Sequence, residues 1–195
     1  LVNGNEDDDF FNNTLSVNST LPASVDLPYV YPGHNQASGW EVENEDSGQT
    51  WLPISLQIDN NSQDVFYLNS FNYPVQGELD YLISPVLDFT GLQNPQLSFD
   101  LAYSPFANSA FFETLLVAIS TDCGNTFDLL SAPYSKTENS LATQEVTTEG
   151  FFPNTEGQFR KEIVNLNAFA GLSSIRVAFV SINDYGNNIF LKNIR

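Results

Sequence analysis

Most of the side chains that drive chemistry are scarce in this sequence. Its 195 residues include one cysteine, one histidine and no methionine. A lone cysteine excludes an internal disulfide, and one His with one Cys cannot build a zinc site. A Ser/His/Asp arrangement needs an imidazole to take the nucleophile's proton. The one imidazole, His34, sits in a loop bounded by Pro32 and Gly33 with no motif around it, and reads as a surface histidine. Cations are equally sparse: six Lys and Arg face 24 Asp and Glu, for a net charge of −18. Such a field repels phosphate backbones and anionic lipid surfaces, which excludes nucleic acid and membrane surfaces as partners. No apolar run reaches the ~18 residues that cross a bilayer, so no membrane insertion is expected. Neither a phosphate-cradling glycine loop nor a dinucleotide fingerprint occurs. Cys123, between Asp122 and Gly124, lacks the cationic neighbour a reactive thiol needs and reads as a turn residue. With no signal peptide and no Met, the sequence is expected to be a mature piece of a longer chain, tethered to other domains.

What the chain does have is apolar and patterned. Hydrophobic residues make up 42% and aromatics 13%, including 16 Phe, enough for a large core in one domain. Leu97, Phe99, Leu101 and Tyr103 alternate with Ser98, Asp100 and Ala102, and Leu115, Val117 and Ile119 alternate with Leu116, Ala118 and Ser120. Period two with β-branched and aromatic residues marks strands with one face on a core. Asp122 and Gly124 predict a tight hairpin after the second run, with Phe127–Leu130 as its returning strand. Leu82-Ile83-Ser84 reads as a strand stopped by Pro85, which has no N–H for a ladder. Further strands are expected near Trp40–Val42 and over Asp64–Phe71, Phe159–Leu166, Ser174–Ile182 and Asn188–Ile194. Residues 1–20 read as a linker and first-strand region, and 21–195 as the folded domain. Within it Leu21–Asn35 is a covering loop and Lys136–Thr155 a long mobile one. Near the start, Asn3, Asn5 and Asp7 have the spacing of a calcium loop, but Asp8 stands where its glycine must be. The pattern predicts an all-β antiparallel sandwich of about ten strands without a helix of useful length.

The motifs also carry a resemblance. The series YLISPVLDFTGLQNPQLSFDLAY, ETLLVAISTDCGNTFDLL and SSIRVAFVSINDYGNNIFLKNI resembles the choice-of-anchor J and cleaved-adhesin domains of secreted Bacteroidetes proteins, over Ser38–Ile194. Those are jelly-roll β-sandwiches related to the meprin/A5/mu (MAM) adhesion domain. MAM domains carry several disulfide-forming cysteines, which places this chain closer to the bacterial branch. The resemblance implies a secreted or cell-surface, non-catalytic adhesion or accessory module that recognises an extracellular glycan or protein through its loops. It also implies a structural calcium, held by the loop before the second Trp and by neighbouring strand ends: Asn44, Glu45 and Asp46, with Asp80 as a further ligand. Two departures stand out. Lys192 occupies a place where the family has Asp, and the polar loop lacks the family's D-x-D-G-D run. The same resemblance assigns Trp40 and Trp51 to the core.

Two other roles compete. One is a structural spacer or secretion-associated domain of a secreted peptidase. The other is a glycoside hydrolase, since glycoside cleavage needs only two carboxylates; Glu113 with Asp80 or Glu78 would supply them, though no signature accompanies the pair. For a binding role, a sugar stacks on an exposed flat ring with amides and carboxylates beside it. Tyr29, Tyr31, Tyr73, Phe106, Phe111, Phe112 and Tyr134 all fall in predicted loops. Phe111, Phe112, Tyr73 and Tyr134 are the expected ligand-binding residues, with Phe111-Phe112 beside Asn108 and Glu113 as the leading patch. Period two would send one of two adjacent rings to solvent.

Overall fold

The computed structural model describes residues 24–34, 39–107 and 111–195, so the linker read at 1–20 and Asn108 lie outside the described residues. Ten strands are present: β1 (Glu41–Asn44), β2 (Leu52–Ile58), β3 (Asn61–Leu68), β4 (Gln76–Ile83), β5 (Gln96–Tyr103), β6 (Thr114–Ser120), β7 (Tyr134–Thr137), β8 (Arg160–Asn165), β9 (Arg176–Asp184) and β10 (Ile189–Lys192). They form two antiparallel five-stranded sheets, ordered β1-β4-β9-β6-β7 and β2-β3-β10-β5-β8. From β3 onward the chain passes repeatedly from one sheet to the other, the jelly-roll winding that the resemblance implies.

Period two sets which side chains meet between the sheets. Phe179 on β9 stands opposite Leu82 on β4 and Val117 on β6. Across the gap Phe99 meets it edge-on, ring centres 4.9 Å apart. Phe99, Leu101, Val117 and Phe179 are fully buried, and Val177 and Ile119 nearly so, as the alternation predicts. Several of the alternating partners are buried too, because part of each outer sheet face is covered. Leu116, Ala118, Ala178 and Val180 lie under Phe127, Leu129 and Ala132. Val65, Tyr67, Ala102 and Phe190 lie under Phe151 and Phe159. Strands buried on both faces read as near-continuous apolar runs, the pattern of β6 and β9.

Three expectations need correction. Phe127–Leu130 is not the strand returning from β6; the partner of β6 is β7, which starts at Tyr134, and Phe127 and Leu129 serve as cover. Lys136–Thr155 is not one long mobile loop. It contains the end of β7 and a one-turn helix, Glu138–Leu141, whose Leu141 is fully buried. Beyond that helix the chain is pinned to β5, where the Tyr103 carbonyl accepts the Thr143 N–H at 2.8 Å. Finally, β2 was not anticipated. It pairs with β3 through the two-residue loop Asp59-Asn60, both with positive φ (48° and 62°), as a type I′ hairpin requires.

Candidate functional site

The inner face of the first sheet changes character along its strands. On β9, Val177 and Phe179 are followed at the same period by Ser181 and Asn183. On β4, Asp80 follows from Leu82 in the reverse direction, and on β6 Glu113 precedes Leu115. Asp80 stands opposite Ser181 on one side and opposite Asn44 on the other. The result is a buried polar layer closing one end of the sandwich: Asp80, Glu113, Ser181 and Asn183 are each at most 1% exposed. Ser70, also buried, adds its hydroxyl to this layer, and Trp51 donates its indole N–H to the Asp80 carbonyl at 3.1 Å.

This layer is under-satisfied. Asn44 Oδ1, Ser181 Oγ and Asn183 Oδ1 are buried without a hydrogen-bond partner, and the buried oxygens of Asp80 and Glu113 Oε2 have no well-formed hydrogen bond, only loose approaches of the Thr50 and Ser70 hydroxyls. Buried polar atoms are ordinarily paired, because an orphan costs its desolvation penalty of about 1–3 kcal/mol. Burial pushes the Asp80 carboxyl up to about 6. The nearby Thr50 hydroxyl pulls it down, and the charges of Asp46 and Glu78 push it further up. Burial likewise raises Glu113 to about 7, against backbone donors that favour its ionised form. Glu113 Oε1 accepts the N–H of Gly186 at 2.8 Å and of Asp184 at 3.3 Å, tying β6 to the β9–β10 turn.

The expected calcium ligands divide. Asn44 and Asp80 are cross-strand neighbours with free oxygens turned inward, and Thr50, not foreseen, joins them. Carboxylate, amide and hydroxyl oxygens are what a hard cation takes. Asp46 is engaged otherwise: its Oδ1 accepts the Gly48 N–H at 2.8 Å and its Oδ2 the Tyr73 hydroxyl. Glu45 is exposed, and its charge acts on Tyr81 of the opposite face. Among the described residues no three His, Cys, Asp or Glu side chains gather as a metal cluster, so a cation here would lean on neutral oxygens. At Lys192, the departure from the family, the buried ammonium is met by Glu156 at 2.6 Å and Gln63 at 2.7 Å, and lies 4.2 Å from the Phe159 ring centre.

Of the four rings expected to bind ligand, three lie in segments that border the polar layer. Phe111 and Phe112 are both half-buried, in the segment leading into β6, so neither points fully to solvent. Phe111 packs edge-on against Tyr185, ring centres 5.5 Å apart, and the Phe112 N–H donates to Asp184 Oδ2 at 3.3 Å. Tyr73, half-buried, is anchored through its hydroxyl to Asp46. Phe71 and Phe106, 5.8 Å apart, extend the group, and the Phe71 N–H is held by Asn188 Oδ1 at 3.2 Å. Tyr134 does not belong with them. It lies on β7 with its ring in the core, edge-on to Phe99 at 5.6 Å, and burial raises its hydroxyl pKa.

Sequence reasoning missed Tyr185, Ser181, Asn183, Asn187 and Asn188, which scaffold this end. The signal was present on β9, where the inward series Val177, Phe179 turns to Ser181 and Asn183. His34 also needs correction. It is not a free surface residue: Nε2–H reaches the Ile54 carbonyl at 2.7 Å and the Val65 carbonyl at 3.1 Å, while Nδ1 accepts from the Tyr31 hydroxyl at 2.5 Å. With both ring nitrogens committed, it pins the 24–34 segment to the β2–β3 hairpin.

The same architecture occurs in solved structures. The K1 cleaved adhesin domain of Lys-gingipain from Porphyromonas gingivalis W83 superposes with a TM-score of 0.56 at 25% identity, over 84% of this chain and 92% of that one. The chain has the cleaved-adhesin fold. The K3 cleaved adhesin domain of the same protein gives 0.54 at 22%, over 85% and 91%. A carbohydrate-binding module specific for non-crystalline cellulose gives 0.52 at 15%, over 93% and 98%; these last two likenesses show the fold alone. No protein-family model matches the sequence, and no curated protein does.

Proposed function

We propose that the chain is a non-catalytic extracellular binding module of adhesin type, and that it holds a glycan at the polar end of the sandwich. The observation that carries the reading is the ring pair Phe111–Tyr185 seated on the Glu113–Gly186 lock. A flat ring backed on one side by packed structure loses little freedom when a sugar face stacks on the other. The Asn187 and Asn188 amides behind it hold the neighbouring 149–151 and 70–71 segments in place. The Lys-gingipain domain of like fold is a cleaved adhesin domain, which favours binding over chemistry. A glycosidase needs two carboxylates flanking an accessible bond; here Asp80 and Glu113 are both sealed inside the sandwich.

The same polar layer takes a structural calcium in this reading. Asp80, Asn44 and Thr50 would hold it; what supports the assignment is their buried oxygens without well-formed hydrogen bonds. The ion would supply the positive charge that keeps Asp80 ionised and would fix the 44–50 loop beneath Tyr73.

A glycan array probed with the purified chain in millimolar calcium tests the reading. Phe111→Ala is expected to weaken a retained glycan about tenfold, ~1.4 kcal/mol, with an unchanged melting temperature. Release of reducing ends from the same glycans, abolished by Glu113→Gln, would replace the binding role with a catalytic one.

A further inference from the structure

The opposite end of the sandwich is open and apolar. A cavity of about 660 Å³ runs between the 24–34 segment, the 84–98 stretch and the last residues of the chain. That volume lies within the range of small-molecule pockets, roughly 300–1,000 Å³. Leu27, Leu87, Phe89, Leu97, Leu166 and Val177 line it. Two large apolar side chains stand out at its edge: Val30 is 55% exposed and Ile163 60% exposed.

The basic residues distribute unevenly around it. Lys136 and Arg160 pair with Glu162, Arg176 with Glu41, and Lys192 with Glu156. Lys161 and Arg195 form no ion pair among the described residues, and both line this cavity. The cross-strand neighbour of Lys161 is Asp100, whose Oδ2 accepts instead from Asn193 at 2.6 Å. Arg195 is positioned by its backbone, which exchanges two 2.9 Å hydrogen bonds with Ser98. On a chain of net charge −18, an anion meets repulsion almost everywhere, so two uncommitted cations beside an apolar hollow favour one kind of guest. It carries a single negative charge at one end and a hydrocarbon body. Apolar side chains dominate the lining, Tyr29, Trp40 and Phe89 among them, with Ser84, Asn94, Gln96 and Ser98 as its neutral polar members.

We propose that this cavity binds a small amphipathic carboxylate, a straight-chain acid of about eight to twelve carbons, with its chain on the apolar lining and its carboxylate between Lys161 and Arg195. Each methylene taken from water raises affinity about fourfold, so affinity grows with chain length until the hollow is full. The charged end separates this guest from a neutral alcohol of equal length.

The test is calorimetric titration of the full chain with octanoate, decanoate and 1-decanol at pH 8 and low salt. Saturable one-site binding of decanoate is expected, about tenfold or more tighter than octanoate and at least tenfold tighter than decanol. The double variant Lys161→Gln/Arg195→Gln changes only exposed side chains. It is expected to bring decanoate down to the level of decanol with an unchanged melting temperature. Absence of saturable decanoate binding would overturn the proposal, as would equal affinity for decanol, or a double variant that binds decanoate as well as the parent.

Discussion

The two ends of this sandwich fail to fill themselves in opposite ways. Where β9 finishes, the inner face ends in Ser181 and Asn183, and the layer around Asp80 and Glu113 is packed tight but short of hydrogen-bond partners. Where β9 begins, about 20 Å away at ~3.3 Å per residue, the lining is apolar and well satisfied but leaves a hollow. The same two sheets thus present a polar deficit at one end and a volume deficit at the other. The guests proposed for them differ accordingly: a cation and a glycan at the first, a hydrocarbon body at the second. Fold alone does not decide this. It is set by which residue types occupy a few inward positions of β4, β6 and β9.

The packed middle common to both ends sets the scale. Phe179→Ala removes the ring that Phe99 meets edge-on and should cost about 3–5 kcal/mol, measured by urea unfolding, regardless of what is bound at either end. A loss under about 1 kcal/mol would mean that the middle is not the layer from which both ends are built.

Calcium should act at one end only. At saturating concentration it is expected to stabilise the chain by roughly 1–4 kcal/mol through preferential binding to the native state, raising the melting temperature by several degrees over excess chelator. Asp80→Ala should abolish that difference, whereas Lys161→Gln/Arg195→Gln should preserve it. An identical midpoint with and without calcium would remove the ion from the polar layer.

Glu113 gives the polar end a pH signature. Its carboxyl titrates near 7 in the folded chain but near 4.3 when unfolded, so between those values the native state holds the extra proton. Its contribution is therefore complete below about pH 4 and declines as pH rises toward 7, by at most about 1.4 kcal/mol per pH unit. Melting temperatures from pH 4.5 to 7.5 in chelator should show that decline, and Glu113→Gln should remove most of it above pH 6, leaving the part that Asp80, raised to about 6, contributes below. An equal slope in both proteins would mean that Glu113 is ionised when folded.

The strands that could be read in advance are those whose apolar alternation is set by the core they face, as in β5 and β6. What escaped has identifiable physical reasons. In β2, Pro53 weakens the local strand signal, and the strand stands because β2 is the edge of its sheet, where a missing N–H is tolerated. Tyr134 comes after Ala132-Pro133 and looked like a loop residue; only pairing with β6, distant in sequence, makes it a strand. The targets of His34 are carbonyls 20 and 31 residues away, which no local pattern announces. At the polar end, Phe111, Phe112, Asn44 and Asp80 were legible as suggestive residue types, but their grouping was not. Tyr185 joins Phe111 only because Glu113 grips the β9–β10 turn, and that grip is a tertiary fact.

The aromatic residues above the polar layer are proposed as the recognition surface. Affinity electrophoresis through gels carrying a panel of soluble polysaccharides, run in calcium, addresses that role most directly. Retardation is expected in at least one gel, relieved about tenfold in affinity by Phe111→Ala, at constant melting temperature, and unaffected by Lys161→Gln/Arg195→Gln. Retardation that survives Phe111→Ala and Tyr185→Ala, or none in any gel, would contradict it.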